Sequence, residues 1–269
     1  MFRNQYDTDV TVWSPEGRLL QVEYAMESVK QGSACVGLRS DKAVVLGALK
    51  RSVSELSDFQ KKIMEIDDHL GIAISGLTAD ARTLAKWMRS ECLNHKYVYG
   101  TSIQSNRLVE DLADRHQECT QTYVRRPYGV GLLVASYDVK TGPHLYQTCP
   151  SGNYYEYYAN SIGARNQSAK TYLEKHLQTF PACDLDTLIM HGLRALAGTV
   201  GGDGELNKDN GSIAYIDEGG VFTVIEDDDL KPYLDRLNDE AGGGDAGGGG
   251  GGGSEGKDDN ADDDDAMQE

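Results

Sequence analysis

Leu19, Val22, Met26 and Val29, with Ala25 among them, recur at the spacing of one helix face near the start of the chain. Ser14-Pro15-Glu16-Gly17 precedes them as a turn signature, and Gly32 follows where that helix is expected to stop. The opening therefore reads as an extended arm, a tight turn and a short amphipathic helix. After Gly32 the period shortens. Ala34–Leu38 and Ala43–Leu49 read as strands around Arg39-Ser40-Asp41-Lys42, and Ile63–Ile66 and Leu70–Ser75 as a second pair around Asp67-Asp68-His69. Thr78 is placed to cap a helix reaching about Asn94. Ala81, Leu84, Ala85, Met88 and Cys92 share its apolar face, and Asp80 lies in its first turn. A second helix is expected from about Ile103 to Glu118, with Leu108, Val109 and Leu112 inward.

The second half repeats the alternation. Val130–Ser136 and Pro143–Thr148 read as strands, and Tyr154–Tyr158 as another, set near a polar site or interface by its four tyrosines. Helical spacing returns in Ala164–Leu177 and in Leu185–Leu196, with Asp184 as cap of the latter. Ser212–Ile216 and Val221–Ile225 form a hairpin around Asp217-Glu218-Gly219-Gly220, and Asp229–Leu237 a short closing helix. Strands that follow one another through turns pair antiparallel, so the pattern predicts an α+β fold with antiparallel sheets.

Composition changes this picture mainly at the end. From Asp239 on the chain is nearly all glycine and acid, with Gly242–Gly244, Gly247–Gly253 and Asp262–Asp265 as runs. Such a segment has too little apolar surface to offset chain entropy and is expected to be disordered. Residues 1–238 are thus expected to form one domain, and 239–269 an acidic tail. The tail holds 11 acidic residues and one basic residue, so of the net charge of −17 about −7 remains on the body. A mildly acidic body argues against bulk binding to nucleic acid. No apolar run approaches the ~18 residues of a membrane span, and the first residues lack the apolar core of a signal peptide. Cys35, Cys92, Cys119, Cys149 and Cys183 are scattered and form no CxxC pair, which suits free thiols in a reducing compartment. The six histidines are equally dispersed, so neither a metal site nor a cofactor is expected. GxxxxGK[ST], HExxH and GxSxG are all absent. Arg125-Arg126, with Tyr123 and Tyr128, reads as surface or interface. Asp227-Asp228-Asp229 reads as the solvated start of a helix rather than a cation site.

Several segments carry a more specific message. Tyr6-Asp7, Trp13-Ser14-Pro15-Glu16-Gly17-Arg18 and Gln21-Val22-Glu23-Tyr24-Ala25 together resemble the N-terminal signature of proteasome alpha subunits. The resemblance continues through Lys30–Ser33, Ser75–Arg82, Arg126–Val130 and Ser161–Ala164, and covers roughly residues 1–236. It implies a four-layer α-β-β-α sandwich, the fold of hydrolases that use an N-terminal nucleophile. In the catalytic beta subunits of that assembly a threonine freed by cleavage after glycine attacks, with its own amine as base. Here Gly32-Ser33 opens the matching strand. However, 32 structure-forming residues precede Ser33, and an internal amide is no base. Leu49 stands where the supporting aspartate would be, and Lys62 where the catalytic lysine would be. The resemblance therefore implies a subunit with no catalytic residue.

What it implies instead is a structural place in a seven-membered alpha ring. Such a subunit would contact beta-ring subunits, shape a gated pore for polypeptides to be degraded and dock activators such as the regulatory particle, in cytoplasm and nucleus. Tyr6, Asp7, Pro15 and Tyr24 match the family's gating cluster. Thr8 stands where the family often has arginine, which puts one arm-to-arm contact in doubt. Lys62 matches the lysine that meets the C-terminal carboxylate of activator tails. Gly32 and Leu77 match the close backbone approach and the apolar wall of that pocket. Two other readings are a self-processing hydrolase that sheds residues 1–32 and an independent monomeric binding protein.

Overall fold

Strands apolar at nearly every position need cover on both faces, and the computed structural model supplies it. It describes residues 5–52, 54, 56–201 and 204–242. The order is α1 (Leu20–Gln31), β1 (Cys35–Arg39), β2 (Val44–Leu49), β3 (Ile63–Asp67), β4 (Leu70–Gly76), α2 (Thr78–Tyr99) and α3 (Ser105–Gln121). Then come β5 (Val130–Asp138), β6 (Gly142–Thr148), β7 (Tyr154–Glu156), β8 (Ala159–Ile162), α4 (Asn166–His176) and α5 (Leu185–Ala197). The chain continues with β9 (Gly211–Ile216), β10 (Thr223–Ile225) and α6 (Lys231–Gly242).

One sheet runs β10-β9-β2-β1-β8 and the other β3-β4-β5-β6-β7, with every neighbouring pair antiparallel. Three apolar clusters separate four layers. Val36, Leu38 and Val45 pack with Leu188, Ile189, Leu193 and Leu196 of α5 on the outside of the first sheet. Ile72, Ile74, Leu132 and Val134 pack with Leu84, Met88, Leu108 and Leu112 of α2 and α3 on the outside of the second. Cys35, Val44, Leu46, Ala73, Leu133, Leu145 and Ala214 fill the space between the sheets. Alternate residues of one strand thus enter different clusters, as the pleat requires. The α-β-β-α sandwich is the architecture that the resemblance implied.

Local differences have local causes. Thr78 does not cap α2: Leu77 holds the cap position and no side chain closes it. The helix runs past the expected Asn94 to Tyr99 and ends at Gly100, whose φ of +71° suits glycine. Asp184 does cap α5, accepting from the Thr187 amide at 3.3 Å. The expected strand Tyr154–Tyr158 is shorter, Tyr154–Glu156, and the chain then crosses to the other sheet as β8, which pairs with β1. Asp227–Asp229 is a separate 3₁₀ turn rather than the start of a helix. Asp227 faces Lys50 at 3.6 Å and Asp228 faces Lys208 at 2.8 Å. Helix α6 continues past the expected boundary at Asp239, and Glu240 pairs there with Arg194 at 2.5 Å. Residues 243–269, the bulk of the expected tail, lie outside the described residues.

Candidate functional site: the end of β4

Three of the residues singled out from the sequence are each placed along the C-terminal half of β4 or directly after it. Gly32 ends α1 with φ near −65°, so backbone freedom is not why glycine stands there. Space is the reason. A Cβ at Gly32 would lie 2.3 Å from the Gly76 amide nitrogen and 2.4 Å from Ser75 Oγ. Ser75, fully buried, places its hydroxyl 2.9 Å from the Val29 carbonyl and 3.2 Å from that of Ser33. It thereby ties the end of α1 to β4. The Gly32 carbonyl in turn accepts from the Ala164 amide at 2.7 Å.

Lys62 enters from the other side of the same strand. Its carbonyl accepts from the Ile74 amide at 3.0 Å, and its side chain is only 5% exposed. Among the described residues no carboxylate lies within ion-pair distance of its ammonium. Burial lowers its pKa, and the nearby Arg51 charge lowers it further; only Cys35 works the other way. Cys35 supplies no anion, because complete burial pushes its thiol up to about 12. Lys61, its neighbour, points out and faces Glu226 at 3.4 Å. Leu77, next after Gly76, is 48% exposed, and its amide donates to the Gly129 carbonyl at 2.9 Å. Among the described residues Lys62 is thus a buried cation without a carboxylate partner, and Leu77, three positions beyond the Ile74 amide that Lys62 accepts from, is a half-exposed apolar side chain.

Of the four residues expected to gate, two are brought together. Tyr24 Oη lies 3.4 Å from Asp7 Oδ2, and Gln21 donates to the Asp7 carbonyl, so arm and α1 are joined. Pro15 shapes the turn in which the Gly17 amide donates to Ser14 at 2.9 Å; it makes no polar contact with that pair. Tyr6 is half-buried. Of α1 itself only Val22 is buried, while Tyr24 and Met26 on α1 and Trp13 before it stay exposed. The apolar stripe read from the sequence is therefore left partly uncovered.

Ser33 is buried within the continuous chain, and Leu49 packs against the helical core, so no acid stands beside Ser33 at that place. Sequence reasoning missed one assembly. Arg126 grips Asp80 through both nitrogens, at 2.7 and 2.8 Å, and the Gly129 amide donates to the same carboxylate at 2.9 Å. Burial raises the Asp80 pKa, but these donors outweigh it and hold the carboxyl below its usual value. Arg126 is thus a surface group, as expected, whose guanidinium also braces the first turn of α2 through Asp80. His116 lies behind this bracket, fully buried, its ring edge-on to Tyr128 at 5.3 Å. Neither of its ring nitrogens has a partner among the described residues, and burial lowers its pKa to about 4.

Comparison with known proteins adds independent information. A family model described as "Proteasome subunit" matches residues 29–216, and a second model, for the N-terminal signature of the alpha-type subunits, matches residues 6–27. The chain is 58% identical over 241 residues to "Proteasome subunit alpha type-1" of Dictyostelium discoideum, covering 89% of this chain and 97% of that protein. It is 55% identical over 233 residues to the Drosophila melanogaster protein of the same description, covering 85% and 83%. To "Probable proteasome subunit alpha type-6" of Schizosaccharomyces pombe it is 51% identical over 241 residues, covering 90% and 88%.

Proposed function

The chain belongs to the proteasome alpha-subunit family, and from that premise we propose that Lys62, Gly32 and Leu77 form a pocket for the C-terminal carboxylate of an activator. Alpha-type subunits are the non-catalytic ring subunits of the 20S core, and this chain is one of them, assembling with other proteasome subunits. Among the described residues no helix is long and apolar enough to cross a membrane. The finer reading is a place in a seven-membered ring in cytoplasm and nucleus, with beta-ring subunits on one side and activators on the other. Tyr6, Asp7, Pro15 and Tyr24 would then order the arms around the pore.

One observation carries the pocket: Lys62 is a buried ammonium with no acid partner among the described residues. Holding such a charge out of water is unfavourable, and an arriving carboxylate supplies the missing counter-charge where water screens it least. Gly32 keeps the backbone close, and Leu77 offers its side chain to the apolar part of the tail. Ser75 links this strand end to the last turn of α1, so the pocket and the base of the arm share one rigid joint.

Activator-dependent peptide hydrolysis by assembled particles, titrated with activator, tests the reading. Lys62→Ala is expected to remove a charged hydrogen bond of about 1.5–3 kcal/mol, one to two decades for a single tail. Several tails binding together reduce the observed shift. Lys62→Arg is expected to rescue only in part, because its planar fork is larger than an ammonium. An unchanged midpoint in intact Lys62→Ala particles would overturn the pocket.

A further inference from the structure

We propose that the Asp80–Arg126 bracket is the positioning element of this pocket, setting where Leu77 stands and tying that wall to α1. The inference rests on the pocket reading above. Leu77 is the residue before α2, and no side chain caps that helix end. Its place is set by its amide, which donates to the Gly129 carbonyl at 2.9 Å. Gly129 is itself held from the other side, because its own amide donates to Asp80 at 2.9 Å. Asp80 is nearly buried, and Arg126 meets both of its oxygens. The peptide groups of Gly129 and the first turn of α2 therefore close a ring: Leu77 to Gly129, Gly129 to Asp80, and Asp80 back through the helix to Leu77.

The same Gly129 carbonyl accepts from Ser28 Oγ at 2.8 Å, and Ser28 is on α1. Gly129 cannot carry a larger residue, since a Cβ there would lie 2.8 Å from Ser28 Oγ and 2.9 Å from a Leu77 methyl. One carbonyl thus touches both the pocket wall and the helix that carries the arm. Arg126 also donates to the Pro127 carbonyl at 3.0 Å, which fixes the segment between the guanidinium and Gly129. Arg126 lies outside the pocket and acts on it only through Asp80 and Gly129. A bidentate fork suits this role better than a point charge would, because it fixes the plane of the carboxylate as well as its distance.

The test uses assembled particles carrying the full chain. The probe is a synthetic peptide with an apolar residue near a free C-terminal carboxylate, with its carboxamide twin as control. Stimulated hydrolysis of a fluorogenic substrate gives the midpoint for the probe. Arg126→Ala is expected to raise that midpoint about three-fold, and Arg126→Lys, which keeps the charge without the fork, by less. Leu77→Ala is expected to raise it comparably, and the double variant no further than Leu77→Ala alone, since the bracket acts through Leu77. Additive effects of the two substitutions would overturn the proposal, as would an unchanged midpoint for both Arg126 variants while Leu77→Ala responds. If Arg126→Ala fails to assemble, Arg126→Lys carries the same comparison. If neither Lys62→Ala nor Leu77→Ala moves the midpoint, the pocket reading itself falls, and the bracket with it.

Discussion

His116 should make the α2–α3 layer acid-sensitive, and the size of the effect follows from where the ring sits. It is fully buried, its nitrogens lack partners among the described residues, and burial lowers its pKa from 6.5 to about 4. The Asp80 charge opposes that shift without reversing it. In the unfolded chain the ring protonates first, so the unfolded state binds more protons between these two values. Stability is therefore fully present above 6.5 and falls as pH drops through that window towards 4. At 1.36 kcal/mol per pKa unit the whole transition is worth about 3 kcal/mol, of which about 2 is lost by about pH 5. His116→Met keeps the volume close, removes both unpartnered nitrogens and sets a thioether against Tyr128. Denaturant midpoints of the purified chain, wild type and variant, measured between about pH 7 and pH 5, give the comparison. The variant should be no less stable at neutral pH and should lose about 2 kcal/mol less on acidification. His191, whose pKa is also lowered by burial, is present in both chains and cancels. Parallel losses in the two chains would refute the assignment, and so would deuterium exchange at the His116 ring carbon titrating near 6.5.

Gly32→Ala should break the joint between α1 and β4, because the new methyl would lie 2.3 Å from a backbone nitrogen that has no room to move. A cost of about 1–3 kcal/mol is expected, read as a lower denaturant midpoint and reduced incorporation into particles. Wild-type incorporation and stability would show that the strand end yields more than its packing suggests. A chain ending at Gly242 should assemble as well as the full-length chain, because α6 and its Arg194–Glu240 pair remain. A chain ending at residue 238 should incorporate less well at raised temperature. Failure of the chain ending at Gly242 to assemble would assign residues 243–269 a role in assembly.

The fold was legible where burial is apolar. Helices α2 and α5 could be read from spacing because one face of each meets a sheet, as Leu84, Met88, Leu188 and Leu196 show. Strand β8 escaped because its interior is partly polar. Asn160 and Ser161 are buried, with the Asn160 amide donating to Gln147 at 2.5 Å and the Ser161 hydroxyl to the Cys35 carbonyl at 3.0 Å. A buried polar pair satisfied across the fold leaves no hydrophobic period to find. The last turn of α2 was missed for the opposite reason: Tyr97, Val98 and Tyr99 are exposed, so no core-facing pattern continues there. The stop signal was Gly100, whose left-handed backbone ends the helix. The end of β7 is likewise set by tertiary context, the crossing to β1, and α6 is held beyond the expected boundary by the Arg194–Glu240 pair.

The site was legible only in its residue types. Lys61 and Lys62 are adjacent and identical in the sequence, yet one faces solvent and Glu226 while the other is buried. Nothing local separates them; the packing of the strand end does. The arginine of the bracket is a surface group as read from the sequence, but its partner is not legible there, because Asp80 lies 46 positions away. The most telling position is Leu49. In catalytic relatives an acid is expected there. Here the position is spent on packing against the helical core. Removing one member of a buried charge pair leaves the other costly to hold unless a partner arrives from elsewhere. Lys62, with no ion-pair partner among the described residues, therefore depends on an anion that arrives from elsewhere, and a peptide carboxylate in the proposed pocket is such an anion.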